Sequence, residues 1–454
     1  MKLHVAILAA GHGNRMNSDL AKVLHPLGGI PMLERIINTV KTIHPDQIHV
    51  IYHHHDLPAL LSHLPVNWVS QKKRLGTGHA LMQVLPVCPN DGRILSLFAD
   101  VPLISAATLK KLLHETPTNE LGLLIAQKKN PTGFGRIIRN AVGNIVAIIE
   151  EKDASQEEKT IKEINTGILT APVNLLKQWL PHLKNKNAQH EYYLTDIVSI
   201  AAHNGCAVGG IFTHNRHEVQ GVNDKWQLMQ LERYYQRQQA KKLALSGVTI
   251  IDDQRIDIRT QKLEIAKDVV LDINVVLEGR IKLGTHAIIG ANVILKNVTI
   301  GNHVIIKPNT IIENATIGDY SEIGPFARIR PGTVIKDHVK IGNFVELKAA
   351  YIESGTKASH LTYLGDTHIG EHVNIGAGTI TCNYDGVNKH RTIIKSRAFI
   401  GANSTLIAPV IIGEQATIGA GSVICKNTAA QKLTLARAKQ CTIDHWTPPE
   451  KTKK

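Results

Sequence analysis

Aromatic side chains are scarce, at 4% of 454 residues, so the 43% hydrophobic content must build its cores from Ile, Val, Leu and Ala. Cysteine is sparse as well. The five cysteines (Cys88, Cys206, Cys382, Cys425 and Cys441) are scattered, odd in number and free of any C-x-x-C pair, which indicates neither a disulfide framework nor a zinc site and leaves free thiols. No run approaches the ~20 apolar residues of a membrane span. The opening Met-Lys-Leu-His-Val leads straight into a short apolar strand and Gly-rich sequence, with no signal-peptide cleavage pattern. A cytoplasmic protein of two or more domains, without an integral membrane segment, is expected.

Acidic charge is also in deficit. The formal net charge of +14 favours anionic partners, which as a class include nucleic acid, a membrane surface and small phosphorylated substrates. Apart from the terminal Glu-Lys-Thr-Lys-Lys the bases are spread along the chain, and no nucleic-acid module with interleaved aromatics is visible. Small anions are therefore the expected partners, and nucleic acid is not. The run His53-His54-His55 has the composition of a metal-ligand set, but adjacent residues at a strand end diverge in direction, so a solvated loop is expected there.

What the second half does have is a six-residue beat. An aliphatic residue recurs at Leu271, Leu277, Leu283, Ile289 and Leu295, and after one-residue slips at Ile300, Ile306 and Ile312, then Ile317, Ile323, Ile329, Ile335, Ile341 and Leu347. It continues through Ile369, Ile375, Ile400, Leu406, Ile412, Ile418 and Ile424. A period of six fits neither an amphipathic helix nor one long strand, and it matches the hexapeptide repeat of a parallel β-helix, in which three hexapeptides close one coil. Glycine often follows the beat, as at Gly284, Gly290, Gly301 and Gly342, and a positive φ at a tight corner is the reading given to it.

The first third instead alternates apolar strands (Leu3 to Ala9, Ile48 to Tyr52, Val66 to Ser70, Ile94 to Phe98) with helical patterns near Met32 to Ile43 and Thr108 to His114. Such alternation predicts a mostly parallel sheet covered by helices on both faces, with ligands beyond the carboxyl ends of the strands. After the first strand, Leu-Ala-Ala-Gly-His-Gly-Asn-Arg-Met (8 to 16) is followed by Lys22. Its glycines let backbone N–H groups approach an anion that Arg15 and Lys22 can neutralise, although no Gly-Lys-Ser/Thr follows as in a Walker loop. The alternative is a Gly-rich turn with solvated bases. After later strands come Gln71, Gly76-Thr77-Gly78 and Asp100, the last placed either to hold a hard cation such as Mg²⁺ with phosphate oxygens or to cap the next turn. Polar or Gly-bearing stretches at 131 to 136, Glu150, 164 to 167, 191 to 196 and 221 to 223 end apolar runs, and spacing assigns them no roles. From Asp224 to Leu245 a Gln-, Lys- and Arg-rich segment carries Leu228, Leu231 and Tyr235 at helical spacing, with Asp224 to cap its start and Gly247 its end. It reads as a connecting helix.

On the solenoid, Arg330 and Lys348 both follow a beat residue and lie three hexapeptides apart, so they should stack on adjacent coils. Two cations in one column repel unless they splay into water or share an anion. Near them, His360 in Ser-His-Leu-Thr-Tyr-Leu-Gly-Asp can serve as a general base, because imidazole titrates near neutrality, or it is one ordinary member of a set of 24 histidines. Between Thr381 and Ile394 seven extra residues break the beat, which implies a loop projecting from one corner.

The cradle with Lys22, Gly76-Thr77-Gly78, Asp100, Asn165 and Asn223 resembles the sugar-1-phosphate nucleotidyltransferases. Together with the repeats, the chain from Leu3 to about Trp446 is similar to the bacterial bifunctional family that joins N-acetylglucosamine-1-phosphate uridyltransferase to glucosamine-1-phosphate acetyltransferase. The resemblance implies a Rossmann-like α/β nucleotidyltransferase domain over residues 1–226, a linker helix over 227–247 and a left-handed parallel β-helix acetyltransferase domain over 248–454. It implies that Leu8, Ala9, Ala10, Gly11, Gln71, Gly76 and Thr77 hold UTP, with Phe98 and Ala99 beside them where the family commonly has Tyr-Gly. Arg15 and Lys22 become catalytic phosphate ligands, Asp100 and Asn223 magnesium ligands, and Gly135, Glu150 and Asn165 sugar contacts. His12 and Asn14 stand where the family commonly has Lys and Thr.

For the solenoid the resemblance makes His360 the base that acts on glucosamine-1-phosphate. Arg330, Lys348, Tyr363, Asn374, Asn383 and Tyr384 would hold the sugar phosphate, and Ala377, Ala420 and Arg437 would contact acetyl-CoA, with Ala402 at a contact that is usually Ser. The implied assembly is a homotrimer, and N-acetylglucosamine-1-phosphate is the implied substrate of the first domain. Two other readings stay open: a single-activity nucleotidyltransferase whose solenoid only assembles subunits, and a scaffold that has lost both sites.

Overall fold

The computed structural model describes residues 2–11 and 13–449, so His12 lies outside the described residues. The chain separates into two compact units, Met1–Tyr235 and Gln236–Lys454.

In the first unit nine strands form one sheet: β1 (Leu3–Leu8), β2 (Gln47–Tyr52), β3 (Asn67–Ser70), β4 (Arg93–Phe98), β5 (Leu121–Gln127), β6 (Arg136–Arg139), β7 (Ile145–Ile149), β8 (Glu163–Pro172) and β9 (Val208–Phe212). The order across it is β9-β5-β8-β4-β1-β2-β3, with β6 pairing β8 and β7 pairing β6. Strands β1 to β4 pair in parallel, as does β9 with β5, whereas β8 runs antiparallel to both β4 and β5. Alternating side chains on each strand face opposite ways, so β1 sends Val5 and Ile7 into one core and Ala6 and Leu8 into another. The first core is closed by Leu33, Ile36 and Ile37 of the helix Met32–Lys41 and by Leu109 and Leu112 of Ala106–Glu115. Ala80, Leu176 and Ile197, from three other helices, close the second. Helices therefore cover both faces, as the alternation predicts.

The strand β8 differs from expectation. Ile-Asn-Thr-Gly (164 to 167) reads as an insertion that ends an apolar run, yet it lies within this ten-residue strand. The polar residues sit where the register to β5 shifts between Asn165 and Leu169, and such a bulge turns side chains out of the ladder.

The second unit is a parallel β-helix. Twenty-five short strands join one continuous ladder, and every aliphatic beat residue from Leu271 to Ile424 is buried in a single core. Pairings such as Leu277 with Leu295 and Ile300 with Ile317 show that three hexapeptides, or 18 residues less an occasional one, close a coil. Stacking is the only way such a row leaves water, because one coil alone has no interior.

The corner glycines correct the expectation made for them. Of the glycines that follow a beat residue, only Gly324 has a positive φ, at 98°. The left-handed residue falls two positions later and is commonly Asn or His, as at His286, Asn292, His303, Asn309 and Asn403. Glycine is required instead by the neighbouring coil: a Cβ on Gly342 would stand 1.8 Å from the Ser359 carbonyl oxygen, and one on Gly284 2.5 Å from the Gly301 carbonyl carbon.

The helix Lys225–Leu245 carries the unit boundary. Asp224 Oδ1 accepts from the Gln227 N–H at 2.7 Å, and Gly247 ends the helix at φ 97°. Leu231 and Tyr235 are buried, with Leu228 packed beside them, against Met16, Leu27, Met32 and Val222 of the first unit. No described helix is long and apolar enough to cross a membrane, and all five cysteines are free.

Candidate active sites

The first site lies at the carboxyl ends of β1, β2, β3 and β4. A cavity of about 220 Å³ is lined by Leu8, Ala9, Ala10, Gly11, Lys22, Gln71, Gly76, Thr77, Phe98 and Asp100, among others, bringing together residues far apart in the chain. A second cavity, of about 420 Å³, shares Thr77, Phe98 and Glu191 with it and adds Gly135, Glu150, Asn165 and Asn223. Thus the residues expected on the nucleotide side share one cavity, those expected on the sugar side share the other, and the two meet at Thr77.

Local chemistry explains each placement. The Ala9 N–H donates to the Ile51 carbonyl at 2.8 Å and the Ala99 N–H to the Leu8 carbonyl at 3.0 Å, which extends the ladder to the rim. Ala99 itself is buried in the core and lines neither cavity. Gly76 takes φ 109°, and a Cβ there would meet the Tyr192 carbonyl oxygen at 2.6 Å. The segment 191 to 196 braces this turn, since Gly78 N–H donates to Tyr192 O at 2.8 Å and Leu194 N–H to Thr77 Oγ1 at 3.0 Å. Buried Gln71 is held by its Nε2 donating to Gly76 O at 3.2 Å.

At the centre, the Lys22 ammonium pairs with Asp100 and also donates to Asn223 Oδ1 at 3.4 Å. The Val222 N–H donates to the Asp100 carbonyl at 2.8 Å, which brings the 221 to 223 turn against the end of β4. Arg15 and Asn14 lie exposed in the short helix Asn14–Met16 and line neither cavity. His53 Nδ1 donates to the Gln71 carbonyl at 2.9 Å, while His54 and His55 are exposed, consistent with a loop.

On the sugar side, the Asn165 side-chain oxygen accepts from the Gly167 N–H at 3.0 Å, and the Glu150 carboxylate accepts from Thr195 Oγ1 at 3.1 Å. Burial, with Asp196 and Asp153 adding repulsion, raises the Glu150 carboxyl above its ordinary range. A raised folded pKa means that the folded state holds this proton more tightly than the unfolded chain, so stability is lost as pH rises from the ordinary carboxylate value through the folded one. Glu150→Gln should therefore raise the melting temperature at pH 8 by more than at pH 4. Equal shifts at the two pH values, in thermal melts followed by circular dichroism, would sink this account.

The second site lies on the β-helix. Arg330 N–H donates to the Leu347 carbonyl at 2.8 Å, so Arg330 and Lys348 do stack on adjacent coils. Each also has a carboxylate partner: Arg330 Nη1 pairs with Glu346 Oε1 at 2.8 Å and Lys348 Nζ with Asp366 Oδ2 at 3.2 Å. Asn383 also donates to Asp366, and Tyr363 lies directly above Glu346 in the ladder. Each cation is thus oriented by its own carboxylate.

His360 is exposed, and its Nδ1 lies 2.8 Å from Asn343 Oδ1. An amide oxygen only accepts, so this contact places the imidazole proton on Nδ1 and leaves the Nε2 lone pair free. Asn343 and His360 pair in the ladder, and the same corner continues on later coils as Ala377, Ala402 and Ala420. Asn403 N–H donates to Ala377 O at 2.7 Å, Gly421 N–H to Ala402 O at 2.8 Å and Arg437 Nη1 to Ala420 O at 2.9 Å. The imidazole therefore heads a column of methyl groups that ends at a guanidinium. Asn374 is exposed on the strand before Ala377.

The coil that joins Thr367 to Thr392 takes 25 residues, the seven extra forming the loop expected from the sequence. Asp385 organises it, accepting from the Val387 N–H at 2.8 Å, the Asn388 N–H at 2.6 Å and His390 Nε2 at 2.7 Å. Tyr384, exposed at 60%, is carried outward on it.

Several residues escaped the sequence reading. Arg74 and Glu191 line the first cavity, and Glu346, Asp366 and Asn343 orient the groups of the second site. Arg74 left a signal, a base shortly after a strand and just before Gly76-Thr77-Gly78, and Glu191 lay within the polar stretch 191 to 196.

Comparison with known proteins adds to this geometry. The MobA-like NTP transferase domain family matches residues 5–185, the GMPPB C-terminal domain family residues 258–352 and the bacterial transferase hexapeptide family (six repeats) residues 391–426. A protein of Coxiella burnetii (strain CbuK_Q154) named bifunctional protein GlmU is 54% identical over 453 residues, 99% of this chain and 100% of that one. Proteins of the same name from Legionella pneumophila (strain Lens) and Marinobacter nauticus are each 49% identical, with 99% of both chains covered.

Proposed function

The chain belongs to the family of GlmU bifunctional proteins, and from that premise we propose how its two sites divide the chemistry of UDP-N-acetylglucosamine synthesis. The protein is a bifunctional transferase: acetyl-CoA acetylates glucosamine-1-phosphate on the left-handed β-helix, and UTP then uridylates the product in the α/β unit. The single observation that carries the reading is the co-location of the expected nucleotide residues in one cavity and the sugar residues in its neighbour.

In the first site the sugar phosphate oxygen attacks the α-phosphorus of UTP; the new P–O bond forms as the bond to the leaving pyrophosphate breaks. No side-chain nucleophile is needed. Asp100 and Asn223 offer two hard oxygen donors, and the Lys22 ammonium already lies against both, which marks the spot as one that attracts a cation. These residues fit a divalent metal, with magnesium suited to oxygen ligands and phosphates. When bound, the ion offsets charge on the phosphate oxygens. Lys22, released from the carboxylate, would reach the phosphates, and Arg15, exposed on the short helix after the cradle, would add positive charge from outside the cavity. The Gln71 amide and the 76–77 turn fix the nucleotide, and Gly135, Glu150 and Asn165 orient the sugar.

In the second site His360 Nε2 accepts a proton from the substrate amine as its nitrogen bonds to the thioester carbonyl carbon; the C–S bond breaks, and that proton leaves on the coenzyme A sulfur. Arg330, Lys348, Tyr363, Asn374, Asn383 and Tyr384 hold the sugar phosphate. Ala377, Ala402, Ala420 and Arg437 line the coenzyme, the methyl of Ala402 offering packing where a hydroxyl would donate. Residues 1–226 house the first activity, 227–247 the connecting helix and 248–454 the second. A homotrimer is supported by apolar side chains exposed on the outside of the coils, Ile380, Phe399 and Val423 among them. Free cysteines support a cytoplasmic setting.

Assaying each half-reaction separately on the purified full chain tests this proposal. Both rates are expected, the uridylyl rate alone falling on chelation of divalent metal. Absence of acetyl transfer would leave a single-activity nucleotidyltransferase.

A further inference from the structure

At the amino-terminal ends of the parallel strands, opposite the nucleotide cavity, three potential ligands meet. His4 on β1 and His49 on β2 point to one side of the sheet, because His49 pairs with Ala6, two residues beyond His4. Cys88 lies beside them, and the ligand atoms of all three fall within 4.8 Å of one another. His4 Nδ1 is 3.1 Å from His49 Nε2, which is 4.0 Å from Cys88 Sγ. The three side chains are 3%, 2% and 2% exposed, yet they border a cavity of about 850 Å³.

One imidazole can donate to the other across that gap, and the remaining ring nitrogens, His4 Nε2 and His49 Nδ1, have no hydrogen-bond partner among the described residues, with or without an ion on the other two. A tetrahedral ion with bonds of about 2.0–2.1 Å to nitrogen and about 2.3 Å to sulfur spans ligand edges of about 3.3 and 3.6 Å. The observed separations fall on either side of those values. We propose that His4, His49 and Cys88 form a zinc site, with the fourth position turned to the cavity and open to water. Two imidazoles and a thiolate select a borderline-soft cation over the magnesium suited to Asp100 and Asn223.

Burial holds both imidazoles neutral, His49 down to about 4, and neutral is the form that ligates. Burial also pushes the Cys88 thiol up to about 11, which opposes the thiolate form, so coordination forms the metal–sulfur bond by displacing one proton to water and should tighten as pH rises. Lys177 Nζ, donating to the Cys88 carbonyl at 2.8 Å, offsets the thiolate charge. Because the site ties β1 and β2 to the turn at Cys88, far along the strands from Asp100, it fastens the fold without touching the reaction. No cysteine spacing announces it, since only the strand register joins positions 4, 49 and 88.

The test titrates the chelator-stripped full chain with Co²⁺ in excess magnesium. One equivalent is expected to give tetrahedral d–d bands and a thiolate-to-cobalt charge-transfer band, both displaced by zinc. Cys88→Ala should lose the charge-transfer band and keep uridylyl transfer, and His4→Gln gives a second loss of the band should the first variant fold poorly. Zinc at about 100 times its Kd should raise the melting temperature of the native chain by roughly 5 °C, but not that of the variants. No charge-transfer band in the native chain, or a band that persists in Cys88→Ala, overturns the site.

Discussion

His360→Ala should lower kcat for acetyl transfer by about 10² to 10⁴-fold, the usual worth of a positioned general base, and leave uridylyl transfer at its native rate. The expectation follows from geometry. The Asn343 oxygen fixes the Nδ1 proton, so the only free lone pair on the ring is Nε2, and it faces solvent at the head of the alanine column. Removing the ring should lower kcat more than it changes KM for acetyl-CoA, since Ala377, Ala402 and Ala420 remain in place. Undiminished acetyl transfer in steady-state assays of the variant would remove His360 from the base role.

Asp100→Ala should lower uridylyl transfer by on the order of 10³-fold, with acetyl transfer unaffected. Asp100 faces the cradle from the end of β4, and Lys22 is held on it. On the proposed assignment its loss would remove the anionic ligand of the metal and would also free Lys22 to bind phosphate in the ground state. The variant should therefore keep UTP affinity, measured by calorimetry, while losing turnover and its dependence on divalent metal. A variant that turned over at the native rate would dismiss the metal assignment.

How much of this was legible beforehand depends on whether the information was local. The beat residues are a local pattern and all of them are buried. The cradle, Gly76-Thr77 and Asp100 each follow a strand, and the rule that ligands lie at strand carboxyl ends placed them together before any coordinates. Pairings made through space were not legible. Glu346 lies 16 residues from Arg330, and Asp366 18 from Lys348, separations that acquire meaning only once the coil length is known. The antiparallel direction of β8 left no mark, because a bulge at Asn165 hides its alternation. Glycine misled for a physical reason: its frequency at corners reflects the carbonyl of the next coil, whereas Asn and His supply the left-handed turn.

The long coil has a consequence of another kind. Thr367 and Thr392 pair in the ladder as neatly as residues 17 or 18 apart do elsewhere, so the faces keep their alignment however many residues a corner spends. Length at that corner is thus decoupled from folding. The segment that carries Tyr384 can therefore change in length without re-registering the prism, so whatever it contacts can vary while the wall behind it stands still.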